Sequence, residues 1–221
     1  MKIEKSTLQF LNSLSANNNK DWFLDHKLDY ESAKNNVLNF AEEIINIISA
    51  IDPAVPATYP VKKAVLRIYR DIRFSKNKDP YKQYFGIWVP SFTNLASGPG
   101  YYLHIQPNQS FLGAGYWMPS GEHLKLIRQE LDYNSSDFIN LISEKYFSSN
   151  FKFNFENALK RAPIGYSPDH ELMQYLKLKS FEVSKPYTDE QLIAENFVHE
   201  LQKDFQKLTS FIAFIRTSIT I

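Results

Sequence analysis

Three arginines at intervals of three residues carry the clearest chemistry in this chain. Arg67, Arg70 and Arg73 are half of its six arginines, and a guanidinium can bind a carboxylate or phosphate through two parallel hydrogen bonds. The run 67–82 holds six basic and two acidic side chains, so its net charge is +4, whereas that of the whole chain is +1. The lysines of the run are Lys76, Lys78 and Lys82. This concentration of positive charge predicts a site for an anionic ligand.

A strand over residues 64–74 would place the side chains of this run on two faces, because side chains alternate along a strand. Arg67, Tyr69, Asp71 and Arg73 would share one face. That face would offer guanidinium donors, a hydroxyl and a carboxylate, with Asp71 as a candidate proton carrier. We therefore expect a ligand-binding patch on an arginine-rich strand.

Arg70 is the exception in this arrangement, since it would fall on the apolar face. A guanidinium directed into a core is costly unless it is paired and hydrogen-bonded. Three interpretations stay open: an internal carboxylate partner, a bulge that brings Arg70 to a ligand, or an incorrect strand register.

Two further candidate residues lie outside the run. His26 is four residues from both Trp22 and Tyr30, so the three would share a helix face. It is either a half-buried structural histidine or an acid/base group near the arginines. Arg161 precedes a rigid loop at 162–166, and it is either a ligand contact or a basic residue at a helix end.

Several chemistries have no support in the sequence. The chain has no cysteine, its five histidines are scattered, and the common nucleotide-binding and hydrolase motifs are missing. We therefore predict no metal site and no cofactor. A sequence pI of about 7.8 also argues against a dedicated duplex-binding domain, so nucleic acid would have to bind at a local patch.

The arrangement of apolar residues predicts the elements that must position these groups. Apolar spacings of three and four over the first 50 residues favour helices, and three prolines at 52–60 end them. Strands are expected at 64–74, 83–89, 100–106 and 110–117, with a loop at 90–99. Helices should follow at 121–131, 135–146 and 188–214, the last opened by a capping box at Thr188 and Gln191. The expected fold is one α+β domain, residues 1–221, with a mainly antiparallel sheet of four or five strands covered by N- and C-terminal helices.

The termini give no sign of a membrane segment. The first 14 residues hold no uninterrupted apolar stretch, and Arg216 interrupts the apolar C-terminal segment. We expect a soluble, cytoplasmic protein with no membrane partner.

Four ordered segments resemble a known family. IYRDIRFSKNKDPYK (68–82), FLNSLSANNNKDWFLDHKLDYE (10–31), GYYLHIQP with GAGYWMP (100–119), and ALKRAPIGYSPDHELMQYLKLKSF (158–181) resemble the signatures of a widespread bacterial and fungal family of uncharacterised proteins. The resemblance implies no established activity. The chain departs from it at Asn77, where many relatives have an acidic residue.

The leading functional prediction is a protein that binds a small anionic molecule bearing a phosphate or a carboxylate. Its ligand contacts would be Arg67, Tyr69, Arg70, Arg73, Lys76, Lys78, Lys82 and Arg161. An enzyme acting on a phosphorylated metabolite or nucleotide is one version, with Asp71 or His26 carrying the proton. The alternatives are a nucleic-acid-binding module that uses the lysines and exposed rings, or an interaction protein whose arginines are structural. Oligomeric state is left open.

Overall fold

The computed structural model of the protein describes residues 1–92 and 97–220. Within these residues, no helix is long and apolar enough to cross a bilayer. The helices are α1 (Lys5–Ala16), α2 (Lys20–Asp25), α3 (Lys27–Ile51), α4 (Val61–Ala64), α5 (Gly121–Tyr133), α6 (Ser135–Ser143), α7 (Lys145–Asn150), α8 (Met173–Leu176), α9 (Asp189–Ile193) and α10 (Phe197–Ile219). The strands are β1 (Phe85–Pro90), β2 (Gly100–Ile105), β3 (Ser110–Tyr116), β4 (Lys152–Phe153) and β5 (Phe181–Tyr187).

The five strands form one antiparallel sheet in the order β1-β2-β3-β5-β4. In the pairing of β4 with β5, Lys152 lies opposite Ser184 and Phe153 opposite Val183. The predicted α+β class is confirmed, and the strands expected at 83–89, 100–106 and 110–117 correspond to β1, β2 and β3. Residues 93–96 of the loop expected at 90–99 lie outside the described part of the chain.

The strand expected at 64–74 was wrong. Only two isolated antiparallel bridges form there, from Val65 to Ile87 and from Tyr69 to Tyr81. Burial does not follow the expected alternation either: Ile68 is buried, whereas Phe74 is 94% exposed. The arginine run therefore lies on irregular chain, where side-chain direction is set by local hydrogen bonds rather than by a pleat.

Two expected long helices are interrupted. The first divides at His26, which ends α2 and precedes α3. The last divides at Ala194, whose extended backbone separates α9 from α10. The capping box that opens α9 is confirmed: the Thr188 hydroxyl accepts from the Gln191 N–H at 3.3 Å, and the Gln191 side chain accepts from the Thr188 N–H at 2.9 Å. Apolar periodicity is continuous across both breaks, so it could not reveal them.

The chain divides into two compact units, and the first comprises residues 1–89, 102–112 and 186–203. In this unit α1 packs on α3, whose apolar face buries Val37, Phe40, Ala41 and Ile44. Aromatic contacts extend this core: Phe40 stacks on Phe197, and Tyr30 stacks on Phe85 of β1. The arginine run lies in this first unit.

The second unit comprises residues 90–101, 113–185 and 204–221. Its core combines aliphatic side chains with many rings, among them Phe138, Phe147 and Phe211, which are buried. Phe147 and Phe211 approach to 5.6 Å between ring centroids, and Phe138 meets Tyr175 edge-on. The expectation that residues 1–221 form a single domain stays a prediction.

Candidate functional site

The arginine run borders a cleft of about 510 Å³ in the first unit, here named the Arg67 cleft. Its charged lining residues are Arg67, Arg70, Asp71, Asp79 and Lys82. Its neutral lining residues are Tyr69, Asn77, Tyr81, Gln83, Tyr84 and Gln106. All but Gln106 come from one stretch of 18 residues, so the chain must fold back on itself to enclose this space.

Backbone hydrogen bonds fold the run into a hairpin-like wall. The Arg70 N–H donates to the Pro80 carbonyl at 2.9 Å, and the Lys82 N–H donates to the Ile68 carbonyl at 2.7 Å. The Tyr69–Tyr81 bridge lies between these two bonds. These pairings place the start and the end of the basic run side by side, which brings Lys82 near Arg67.

Arg70 holds the loop that closes this wall. Its half-buried guanidinium donates to the Asp79 carbonyl oxygen at 3.2 Å and lies 3.4 Å from the Ser75 hydroxyl. No carboxylate among residues 1–92 and 97–220 forms an ion pair with it. The guanidinium therefore stabilises the loop through one backbone carbonyl and one side-chain hydroxyl, and the internal ion pair considered for Arg70 is not formed within the described residues.

Arg73 is paired with Asp71. Its Nε donates to Asp71 Oδ1 at 3.0 Å and its Nη2 to Oδ2 at 2.7 Å. These side-chain bonds, the Arg73 backbone N–H and the nearby Arg67 charge hold the pKa of Asp71 below its usual range. A carboxylate that binds its proton less readily is a weaker general base. Asp71 is thus better suited to orienting arginines than to carrying a proton, and Arg73 does not line the cleft.

Arg67 and Lys82 are the cations of the cleft whose side chains form neither an ion pair nor a hydrogen bond within the described chain. Arg67 makes no hydrogen bond or ion pair with any residue in the described ranges. The Lys82 ammonium lies 5.7 Å from the Tyr84 ring centroid, and no carboxylate of the described chain pairs with it. Burial, and then the charge of Arg67, lowers the pKa of Lys82. Arg67 and Lys82 are neighbouring cations that form no ion pair within the described chain, and an anion that contacts both would be stabilised by their charges.

Besides Arg73, four of the residues predicted to act at the site are not brought into the cleft. Lys76 and Lys78 are exposed and do not line it. His26 stacks on Trp22 at 4.0 Å, and its Nδ1 donates to the Trp22 carbonyl at 2.9 Å, as expected of a structural histidine. Arg161 belongs to the second unit and is exposed.

The residues that sequence reasoning missed are mostly polar and neutral. Asn77 donates to the Asp79 carboxylate at 3.0 Å, while its own side-chain oxygen accepts from the Asp79 N–H at 2.7 Å. Tyr81, Tyr84 and Gln106 also line the cleft. The only sequence signal for Asn77 and Asp79 is the Asn-Lys-Asp-Pro turn composition, which is typical of local side-chain to backbone bonding.

Gln106 is held by a hydrogen-bonded chain along β2. The His104 Nε2 donates to the Gln106 side-chain oxygen at 2.8 Å, so its Nδ1 is the acceptor for the Tyr102 hydroxyl at 2.9 Å. The His104 ring packs between Tyr84 and Phe111, at 4.2 and 4.8 Å between centroids. The chain fixes the Gln106 carboxamide, whose nitrogen is directed to Gln109 at 3.4 Å.

His104 should make the free energy of unfolding depend on pH. Burial lowers the pKa of this histidine in the folded state, so the unfolded chain takes up the proton first as the pH falls. The contribution of His104 to the free energy of unfolding is intact above the pKa of the unfolded state, about 6.5. It is lost as the pH falls through the pKa of the folded state. Burial raises the pKa of Tyr102, whose hydroxyl contacts the ring, so this phenol stays neutral in this range.

We therefore expect the free energy of unfolding of the wild type to fall more than that of His104→Gln between about pH 7.5 and pH 5. Urea denaturation at several pH values would measure both profiles. Parallel profiles would contradict a depressed pKa at His104.

Within the described ranges, no three histidine or acidic side chains lie together as a metal site would need. The chemistry of the Arg67 cleft is therefore that of its guanidinium, ammonium, carboxylate, amide and phenol groups.

Comparison with known proteins places the chain in a family. No curated protein and no solved structure matches it. Residues 6–214 match the family model described as a conserved hypothetical protein, DUF2461. The match includes the whole arginine run and every residue that lines the Arg67 cleft. Since it spans nearly all of the 221 residues, the chain belongs to the DUF2461 family of conserved hypothetical proteins.

Proposed function

We propose that the Arg67 cleft binds a small molecule that carries a phosphate or a carboxylate. The observation that supports this most directly is the state of Arg67, which lines the cleft without a hydrogen-bond or ion-pair partner in the described chain. Lys82 lies close enough to Arg67 for their charges to interact unfavourably. An anion that contacts both would relieve this repulsion and form charge-assisted hydrogen bonds.

The other basic residues have different roles in this proposal. Arg70 and Arg73 position the wall through Asp79 and Asp71 respectively. Lys76 and Lys78 steer anions from outside the cleft, where exposed charges act mainly on the association rate. Arg67 and Lys82 therefore carry the binding energy.

Binding, rather than a reaction, is what we propose. Asp71 is engaged by Arg73 and has a lowered pKa, and His26 does not line the cleft, so neither is well placed as a proton carrier. A cytoplasmic location stays a prediction from the cysteine-free composition.

The Arg67→Ala variant tests this proposal. We expect its melting temperature without ligand to stay near that of the wild type, because exposed side chains without partners contribute within about 0.5 kcal/mol. Its affinity for an anion should fall about 10- to 100-fold, since a hydrogen bond to a charged group is worth roughly 1.5–3 kcal/mol. Isothermal titration with inorganic phosphate, adenosine monophosphate and succinate would measure this loss.

Lys76→Ala is the matched control, because it removes a charge from the same run outside the cleft. The proposal fails if no anion binds the wild type, or if both variants lose affinity equally. If the binding partner is instead nucleic acid, affinity for a single-stranded oligonucleotide should exceed that for every small anion and fall steeply with salt.

A further inference from the structure

The Tyr69 ring contacts two buried rings and is itself half exposed. It is 51% exposed and lines the Arg67 cleft. Its centroid lies 6.0 Å from that of Phe23 and 5.5 Å from that of Tyr81, which are both buried. Phe23 and Tyr81 are themselves stacked at 3.9 Å with their planes 10° apart. An exposed ring with this rigid support is a prepared surface for a second planar group.

The backbone fixes the same ring. Tyr69 and Tyr81 form an antiparallel bridge, and the Arg70 and Lys82 N–H bonds flank it. Burial, followed by the proximity of Tyr69, raises the pKa of both Tyr30 and Tyr81. These phenols therefore stay neutral, and the ring cluster adds no negative charge that would oppose an anion.

The charge of the cleft matches a dianion. Arg67, Arg70 and Lys82 line it, against the carboxylates of Asp71 and Asp79. Arg73 already neutralises Asp71 from outside the cleft, which leaves two positive charges in excess. A phosphate monoester carries about −1.5 to −2 charges at neutral pH, whereas a single carboxylate carries one.

The size of the cleft argues for more than a phosphate group. Its volume of about 510 Å³ lies within the range of roughly 300–1,000 Å³ that is typical of small-molecule sites. Inorganic phosphate would leave most of that space and the Tyr69 face unused. The fixed carboxamide of Gln106 and the Asp79 carboxylate provide polar groups that could recognise hydroxyls or a ring edge.

We infer that the ligand is a phosphate monoester with a planar ring, the chemical class of a mononucleotide. Its ring stacks on Tyr69 and its phosphate lies between Arg67 and Lys82. This inference rests on the proposed function and narrows it to one class of ligand. A free mononucleotide fits better than a polynucleotide, because the excess positive charge is confined to the run 67–82 in a chain of net charge +1.

The test is a ligand series on the full chain by isothermal titration: adenosine and uridine monophosphates, ribose 5-phosphate, inorganic phosphate, and a single-stranded oligonucleotide. We expect the wild type to bind a mononucleotide at least about tenfold more tightly than ribose 5-phosphate, which is the gain that base stacking on an aromatic side chain provides. Tyr69→Leu should abolish this difference, whereas Tyr69→Phe, which keeps the ring, should preserve it.

The outcomes distinguish the proposed anion site from the inference that its ligand has a planar ring. If ribose 5-phosphate and the mononucleotides bind the wild type equally, the ring inference fails while the anion site stands. It also fails if Tyr69→Leu keeps the full difference, or if the oligonucleotide binds more tightly than any mononucleotide. If no phosphorylated ligand binds, the inference fails, and the proposed function fails with it if succinate does not bind the wild type either. Melting curves of Tyr69→Leu and Tyr69→Phe distinguish lost stacking from lost folding, and the wild-type series is decisive without either variant.

Discussion

Gly115→Ala should destabilise the protein by about 3–5 kcal/mol, because overpacking against a strand and backbone strain would act together. Gly115 lies in β3 with a φ of +131°, a backbone conformation that residues with a side chain rarely adopt. A Cβ at this position would lie 2.0 Å from the Phe181 carbonyl oxygen and 2.7 Å from the Glu182 Cα, both in the neighbouring strand β5. Backbone atoms cannot rotate away as a side chain can, so relief requires the two strands to separate. Urea denaturation followed by circular dichroism would measure the loss.

Two other glycines of the second unit distinguish the effect of overpacking from that of backbone strain. Gly165 also has a positive φ, of +94°, but a Cβ there would meet nothing within 4 Å, so Gly165→Ala should cost only about 1–2 kcal/mol of backbone strain. Gly121 begins α5, has neither constraint, and should tolerate alanine or gain up to about 1 kcal/mol. A Gly115→Ala variant as stable as Gly121→Ala would contradict the close approach of β3 and β5.

Periodicity predicted the regular elements well where burial alternates simply. Strands β1, β2 and β3 fall within two residues of their expected bounds, because apolar alternation and flanking glycines both indicated them. The sheet order could not be predicted, since β5 pairs with β3 through contacts between residues about 70 positions apart. The close approach at Gly115 is a consequence of that pairing.

The candidate site was partly predictable for a different reason. Arg67, Tyr69, Arg70, Asp71 and Lys82 lie within 16 residues, so a compact local fold brings them to one cleft whether or not they form a strand. The strand predicted at 64–74 does not form, because hydrogen bonds between residues 68–70 and 80–82 turn the chain back on itself. Gln106 reaches the cleft from the end of β2, and no local pattern could have placed it there.

The second large effect is expected at a buried ion pair of the second unit. Asp204 of α10 is fully buried, and the Lys185 ammonium of β5 donates to both its carboxylate oxygens, at 2.9 and 2.8 Å. The Tyr146 hydroxyl also donates to Asp204, at 3.0 Å. Lys185→Met should cost about 3–5 kcal/mol, because it removes the ammonium that forms an ion pair with a fully buried carboxylate. Thermal and urea unfolding would both measure this loss.

Lys207 offers a matched control, since its ammonium lies over the same Tyr146 ring but pairs with a half-exposed Glu144 at 3.5 Å. Lys207→Met should cost no more than about 1 kcal/mol, as is usual for solvent-exposed pairs. The double variant Lys185→Met/Asp204→Leu should recover most of the loss, because it removes the buried charge together with its partner. If Lys185→Met lowered the free energy of unfolding no more than Lys207→Met does, the Asp204 carboxylate would have to be stabilised by groups other than the Lys185 ammonium. The double variant also shows why Lys185→Met loses stability. If the loss comes from the buried carboxylate charge, it disappears when the carboxylate is removed. If it comes from lost packing of the lysine side chain, it persists.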